Sequence, residues 1–173
     1  IMITHPKSGI KSIADLKGKT FAFGDKGSTS GYLIPNYHFQ KNGIDVNKFL
    51  GKVINTKHQA IEMQVTRGEL DAGADYNRNR DAMIADGQIK AADSVVFWTS
   101  DPLPNDAVAV SSALAKDAAF VSKLREALTS VGDELKRTPN LLPPRYTGFV
   151  SKDNAYYRPI RDAGLASGQL QAK

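Results

Sequence analysis

The sequence contains no cysteine, which excludes disulfides, thiolate-bound zinc and a cysteine nucleophile. Exported proteins often lack cysteine, but so do many cytosolic ones, so the absence alone does not fix a compartment. No stretch approaches the roughly 18 consecutive apolar residues that a membrane-spanning helix needs. Basic and acidic residues are interspersed, with no arginine-rich stripe and no ladder of alternating aromatic and basic side chains, so nucleic acid is not an expected partner. The three histidines, His5, His38 and His58, show no metal-ligand spacing, and no metal site or cofactor is expected. Initiator methionine and signal peptide are both missing from the start, Ile1-Met2-Ile3-Thr4-His5-Pro6. That opening reads as a strand already under way, and the chain is expected to begin partway through a larger protein.

What remains is ordinary globular material. The 173 residues are 41% hydrophobic and 24% charged, enough for one sizeable domain or two small lobes. A net charge of +5 gives mild steering of anions, mostly from lysines scattered over a solvated surface. There is no internal repeat and no low-complexity segment.

Strand and helix patterns alternate along the chain, which argues for α/β layers. Residues 12–18 read as one helical turn closed by Gly18, and Thr20-Phe21-Ala22-Phe23 as a buried strand. A glycine-rich loop, Asp25-Lys26-Gly27-Ser28-Thr29-Ser30-Gly31, leads into a helix from Tyr32 to Phe39 that tolerates Pro35 near its start and ends at Asn42-Gly43. Lys52-Val53-Ile54 is a short strand, followed by a helix from Lys57 to Arg67. Leu70 to Ala74 reads as a buried strand and Asn79 to Ala85 as a helix. Val95, Val96, Phe97 and Trp98 are strand formers, and Pro102 and Pro104 force an extended crossing. Ala107-Val108-Ala109-Val110 reads as one more strand. Phe120, Val121, Leu124, Ala127, Leu128, Val131 and Leu135 then mark one face of a long helix, which Asp117 caps. Thr138 to Pro144 is irregular, and a last helix is expected around Tyr156 to Ala163.

Ser28-Thr29-Ser30 forms the strongest site candidate. A helix start presents unpaired N–H groups and partial positive charge. Three consecutive hydroxyls add uncharged donors, and Gly27 and Gly31 let the backbone approach a ligand closely. The whole is a cradle for a tetrahedral anion. One hydroxyl is equally well explained as a simple helix cap; three are not. Nucleotide and hydrolase motifs fail here: no lysine follows Gly27 as a Walker motif demands, Gly24, Gly27 and Gly31 do not fit a dinucleotide fingerprint, and neither Ser28 nor Ser30 has the glycines of a nucleophile elbow. His58, at the start of the next helix, is placed to donate to an anion. Asp106 follows the proline crossing, where a carboxylate would favour a protonated oxyanion over a fully ionised one such as sulfate.

With these residues in view, the chain resembles the phosphate-, phosphite- and phosphonate-binding subunits of ABC importers, which have the type 2 periplasmic binding protein fold. The resemblance rests on Ile13-Ala14-Asp15-Leu16-Lys17-Gly18-Lys19, Ala22-Phe23, Ser28-Thr29-Ser30-Gly31-Tyr32-Leu33 with Pro35, Lys57-His58-Gln59-Ala60, Gly68-Glu69-Leu70-Asp71-Ala72 and the Trp98 to Asp106 segment. It implies two α/β lobes around a ligand cleft, the first lobe incomplete in this chain: 1–15 the end of lobe 1 and a hinge, 16–100 lobe 2, and 101–173 the second crossing and the C-terminal part of lobe 1. It further implies that Ser28, Thr29, Ser30 and Gly31 hold the phosphoryl oxygens, that His58 donates to them, and that Tyr76, Arg78 and Asp106 line the ligand. Binders of aminoalkylphosphonates carry a glutamate near Arg78; the local Tyr76-Asn77-Arg78-Asn79 has none, which favours phosphite or methylphosphonate over an amine-bearing ligand. The implied partners are ABC permease subunits, through peripheral association with a membrane complex, for a monomeric periplasmic or lipid-anchored protein. No histidine or nucleophile poised by a partner is visible in sequence, so an enzyme is not expected. A two-lobed enzyme or an effector-sensing domain on the same fold is the alternative.

Overall fold

The computed structural model describes residues 1–143 and 146–171. The chain divides into two compact units, Ile1–Leu103 with the segment from Arg158 onward, and Pro104–Tyr157.

The first unit is built on five strands, β1 (Met2–Thr4), β2 (Thr20–Phe23), β3 (Lys52–Asn55), β4 (Ala72–Ala74) and β5 (Val95–Trp98), ordered β3-β2-β4-β1-β5. β2 runs parallel to β3 and β4, whereas β1 is antiparallel to β4 and β5. Alternation in the strands sends side chains to two covered faces. On one face Met2, Phe21 and Phe23 join Leu16, Phe39 and Leu50, with no exposure above 6%. Phe21, Phe23 and Phe39 meet edge to face at centroid separations of 4.8, 5.7 and 6.0 Å. Each such ring contributes roughly 1.5–3 kcal/mol by burial. On the other face Ile3 and Ala22 pack with Ile61, Val65 and Leu70. Gly73 is glycine because a Cβ there would lie 2.3 Å from Ile61 Cγ2.

Helices α1 (Ile34–Lys41), α2 (Val46–Phe49), α3 (His58–Thr66), α4 (Asn77–Ala85) and α6 (Arg158–Ala166) belong to this unit. Leu33 and Ile34 pack with Ala163 and Ile160 of α6. Before α1 the chain makes a π-helical turn, Thr29–Leu33, in which Ser28 O accepts from Leu33 N at 3.0 Å and Thr29 O from the Ile34 N–H. Pro35 explains its setting. It has no N–H to return to the Gly31 carbonyl, and that carbonyl instead accepts from Gly24 N at 2.8 Å. The helix start is thereby fastened to the end of β2.

In the second unit, α5 (Ala118–Glu134) forms where the apolar periodicity places it, capped by Asp117 Oδ1 accepting from Phe120 N at 2.9 Å. None of its residues is buried. The expected strand Ala107–Val110 is not formed: the segment carries no sheet pairing among the described residues, and Ala107, Val108 and Ala109 are exposed. An alternation of small apolar residues specifies a strand only when another edge accepts its hydrogen bonds. Pro144, at the end of the expected irregular stretch, lies outside the described residues.

Candidate functional site

Three parallel strands end on one side of the sheet, and each delivers polar residues just past its last residue. β2 leads through Gly24 to Ser28, β3 leads to His58 at the first position of α3, and β4 leads to Asp75 and Tyr76. Sites in open α/β sheets gather at the carboxyl ends of the strands for this reason.

Ser28 caps the helix start: its Oγ accepts from Gly31 N at 3.0 Å, and its carbonyl accepts from Tyr32 N. Thr29 and Ser30 then occupy first-turn positions whose N–H groups have no earlier turn to bond. All three hydroxyl residues are half-buried. His58 closes the cradle from the side, with Nε2 3.2 Å from Ser28 Oγ. Its ring sits so near Gly31 that a Cβ on residue 31 would lie 2.6 Å from Cε1 and 3.0 Å from Gly24 Cα. Glycine is therefore a steric requirement of this site. Tyr76 presents its ring at 89° to that of His58, centroids 4.8 Å apart, and Arg78 is exposed in the first turn of α4. Ser28, Thr29, Ser30, Gly31, His58 and Tyr76 are thus brought to one place. Asp106 belongs to the second unit, exposed on an extended segment.

Behind His58 lies a polar array that the sequence does not advertise. His58 Nδ1 is 2.7 Å from Asp75 Oδ1, and Asp75 is fully buried. Asp75 Oδ2 accepts from Asn79 Nδ2 at 2.9 Å. Glu62, also fully buried, faces Asp75 and accepts from Ser94 Oγ at 2.8 Å. Arg80 Nε donates to Ser94 Oγ at 3.1 Å, and its Nη2 to Ser94 O at 2.6 Å. Burial, followed by the hydrogen bond with the Asp75 carboxyl, pushes the Glu62 pKa from an ordinary 4.5 up to about 8, against a smaller lowering by Ser94. Sequence reasoning finds no partner for a histidine; the fold provides one in Asp75, whose only signal is its place one residue past a buried strand.

The other histidines stand apart from this constellation. His38 packs its ring on Trp98 at 4.5 Å, where burial, then the charge of Lys41, holds it below its ordinary pKa. His5 Nδ1 accepts from Lys7 N. No group of three histidine, aspartate or glutamate residues among the described residues is arranged to hold a metal ion.

Fold and site together define an α/β module with a polar site at the carboxyl ends of its parallel strands. The chain belongs to the family of periplasmic substrate-binding proteins of ABC phosphonate transporters, whose model matches residues 1–157. It is 30% identical over 113 residues to the phosphonates-binding periplasmic protein of Escherichia coli, an alignment covering 62% of this chain and 33% of that protein. It is 26% identical over 127 residues to the phosphate-import protein PhnD of Mycolicibacterium smegmatis, covering 69% of this chain and 39% of that one. The structure of PhnD1 from Prochlorococcus marinus in complex with methylphosphonate superposes with a TM-score of 0.74 at 20% identity, over 98% of this chain and 66% of that chain. The expected type 2 periplasmic binding fold is therefore the fold observed, and the chain spans only a third to two fifths of the curated relatives it matches. No helix among the described residues is long and apolar enough to cross a membrane.

Proposed function

We propose that the protein captures a small phosphorus oxyanion outside the cytoplasm and presents it to an ABC permease, with Ser28, Thr29, Ser30 and His58 as the ligand-holding groups. The observation that carries this reading is the meeting of the Ser28 hydroxyl at a helix start with the His58 imidazole, Oγ and Nε2 3.2 Å apart, with half-buried Thr29 and Ser30 next in the chain. Helix N–H groups and hydroxyls suit a tetrahedral anion because they donate without bringing a full countercharge. The related proteins named for phosphonates and phosphate have ligands of this class. Arg78, an exposed cation beside Tyr76, favours a ligand without an ammonium group. Capture needs no chemistry on the ligand, only closure of the protein around it.

Calorimetric titration of the full-length protein with phosphite, methylphosphonate, 2-aminoethylphosphonate, phosphate and sulfate tests the proposal. Tight binding of one phosphorus species, lost in Thr29→Ala, is the expected result. Binding of sulfate alone, or of nothing in the panel, would refute it.

A second reading has one observation in its favour. Ser28, His58 and Asp75 are spaced as a nucleophile, base and orienting carboxylate would be. Against it, the Ser28 oxygen is engaged as the cap of Gly31, as suits a ligand-holding hydroxyl. Release of 4-nitrophenol from an activated ester, abolished by Ser28→Ala, would favour the hydrolytic reading over capture.

A further inference from the structure

His58 has two ring nitrogens, and which of them carries the proton decides what it can offer a ligand. Nδ1 lies 2.7 Å from Asp75 Oδ1, and neither atom has a hydrogen-bond partner among the described residues, so the two buried atoms have only each other to face. Asp75 is held in turn by the Asn79 amide and by its backbone, which exchanges 3.0 Å hydrogen bonds with Ile1 in both directions. The charged and titratable groups around the pair are Glu62 from α3, Tyr76 from the β4–α4 turn and Arg80 from α4. Two buried carboxyls side by side cannot both ionise at low cost. A single proton between Glu62 and Asp75 leaves the array one negative charge, facing Nδ1.

We propose that Asp75, with Glu62 behind it, is the positioning residue that fixes His58 as its Nδ1–H tautomer, so that Nε2 faces the cradle and gains a proton as an oxyanion docks. This rests on the capture reading above. In that tautomer Nε2 accepts from the Ser28 hydroxyl 3.2 Å away, whose oxygen already accepts from Gly31 N. To donate to an anion Nε2 must first be protonated, and the Asp75 charge stabilises the imidazolium that results. Docking is therefore accompanied by net proton uptake, and the fold favours ligands that carry negative charge to the cradle.

The test uses the full-length protein and methylphosphonate. Nitrogen NMR of the ¹⁵N-histidine-labelled protein, with the His58 signals assigned by their loss in His58→Asn, should show Nδ1 protonated and Nε2 unprotonated before ligand, and both protonated after it. Titration in buffers of different ionisation enthalpy should show proton uptake. Asp75→Asn should reduce both the uptake and, by tenfold or more, the affinity. A free protein with the proton on Nε2 would overturn the proposal without needing any variant to fold. So would an Asp75→Asn protein with unchanged affinity and uptake while Thr29→Ala binds weakly, which would leave the cradle standing. Loss of effect in both variants would remove the capture reading as well.

Discussion

β4 has an aspartate just outside each end, and the two do different work. Asp71, before the strand, is part-exposed: its Oδ2 accepts from Thr20 N at 2.8 Å, its Oδ1 lies 3.8 Å from Lys19 Nζ, and its carbonyl accepts from Thr4 Oγ1 at 2.6 Å. It stitches β1, β2 and β4 together. Asp75, after the strand, is fully buried and spends its carboxylate on His58 and Asn79. A carboxylate satisfied by a backbone N–H and a lysine is a structural tie; a buried one facing an imidazole can orient that ring. Family resemblance singles out the first, within Gly68-Glu69-Leu70-Asp71-Ala72, and is silent on the second.

The same division runs through the site's neighbourhood, and substitutions can break it. The largest effect on binding is expected from Gly31→Ala, whose methyl would overlap the His58 ring and Gly24 Cα: oxyanion affinity in calorimetry should fall by about a hundredfold or more, the order expected when a buried charge-assisted hydrogen bond is lost together with its geometry. In the aromatic core, Phe21→Ala should cost about 3–5 kcal/mol in denaturant unfolding, since Phe21 is fully buried between Phe23 and Phe39. Next is the pH response of Glu62. Between its ordinary 4.5 and about 8 the folded chain retains a proton that the unfolded chain has released, so stability should fall as pH rises across that window. Glu62→Gln, a permanent mimic of the protonated acid, should flatten that slope in thermal melts. Asp71→Ala should lower stability by about 1–3 kcal/mol and leave affinity for methylphosphonate unchanged, the reverse of what is expected at Asp75. Least is expected in the second unit: Phe120, 40% exposed on α5, should change stability by under about 0.5 kcal/mol when replaced by serine.

Much of this architecture is legible in sequence because its punctuation is local. Gly18, Gly43 and Gly68 take positive φ values of 74°, 71° and 73°, so glycine marks those element ends directly. Asp15 accepts from the N–H groups of Lys11 and Ser12 within a few residues of itself, and the hydroxyl cluster at Ser28 lies next to the helix it begins. The His58–Asp75–Glu62 array is different. Its members are joined only when β4 and α3 pack, and no spacing rule links a histidine to a carboxylate on another element. The π-helical turn is hidden as well, because it follows from where the Gly31 carbonyl finds its donor once Pro35 withholds one. At Ala107–Val110 local propensity misleads, since a strand is defined by its neighbour. α5 shows the limit from the other side: its periodicity is correct, and none of its residues is buried in this chain.

In the proposed capture the start of the helix at Ser28 holds the anion. Thr29 is the sharpest probe, because its side chain has no hydrogen-bond partner among the described residues and should serve only the ligand. Comparing methylphosphonate and phosphite isotherms of the full-length protein with those of Thr29→Ala should show at least tenfold weaker binding at unchanged melting temperature. Equal affinity in the two proteins, with the fold intact, would show that the anion is held elsewhere.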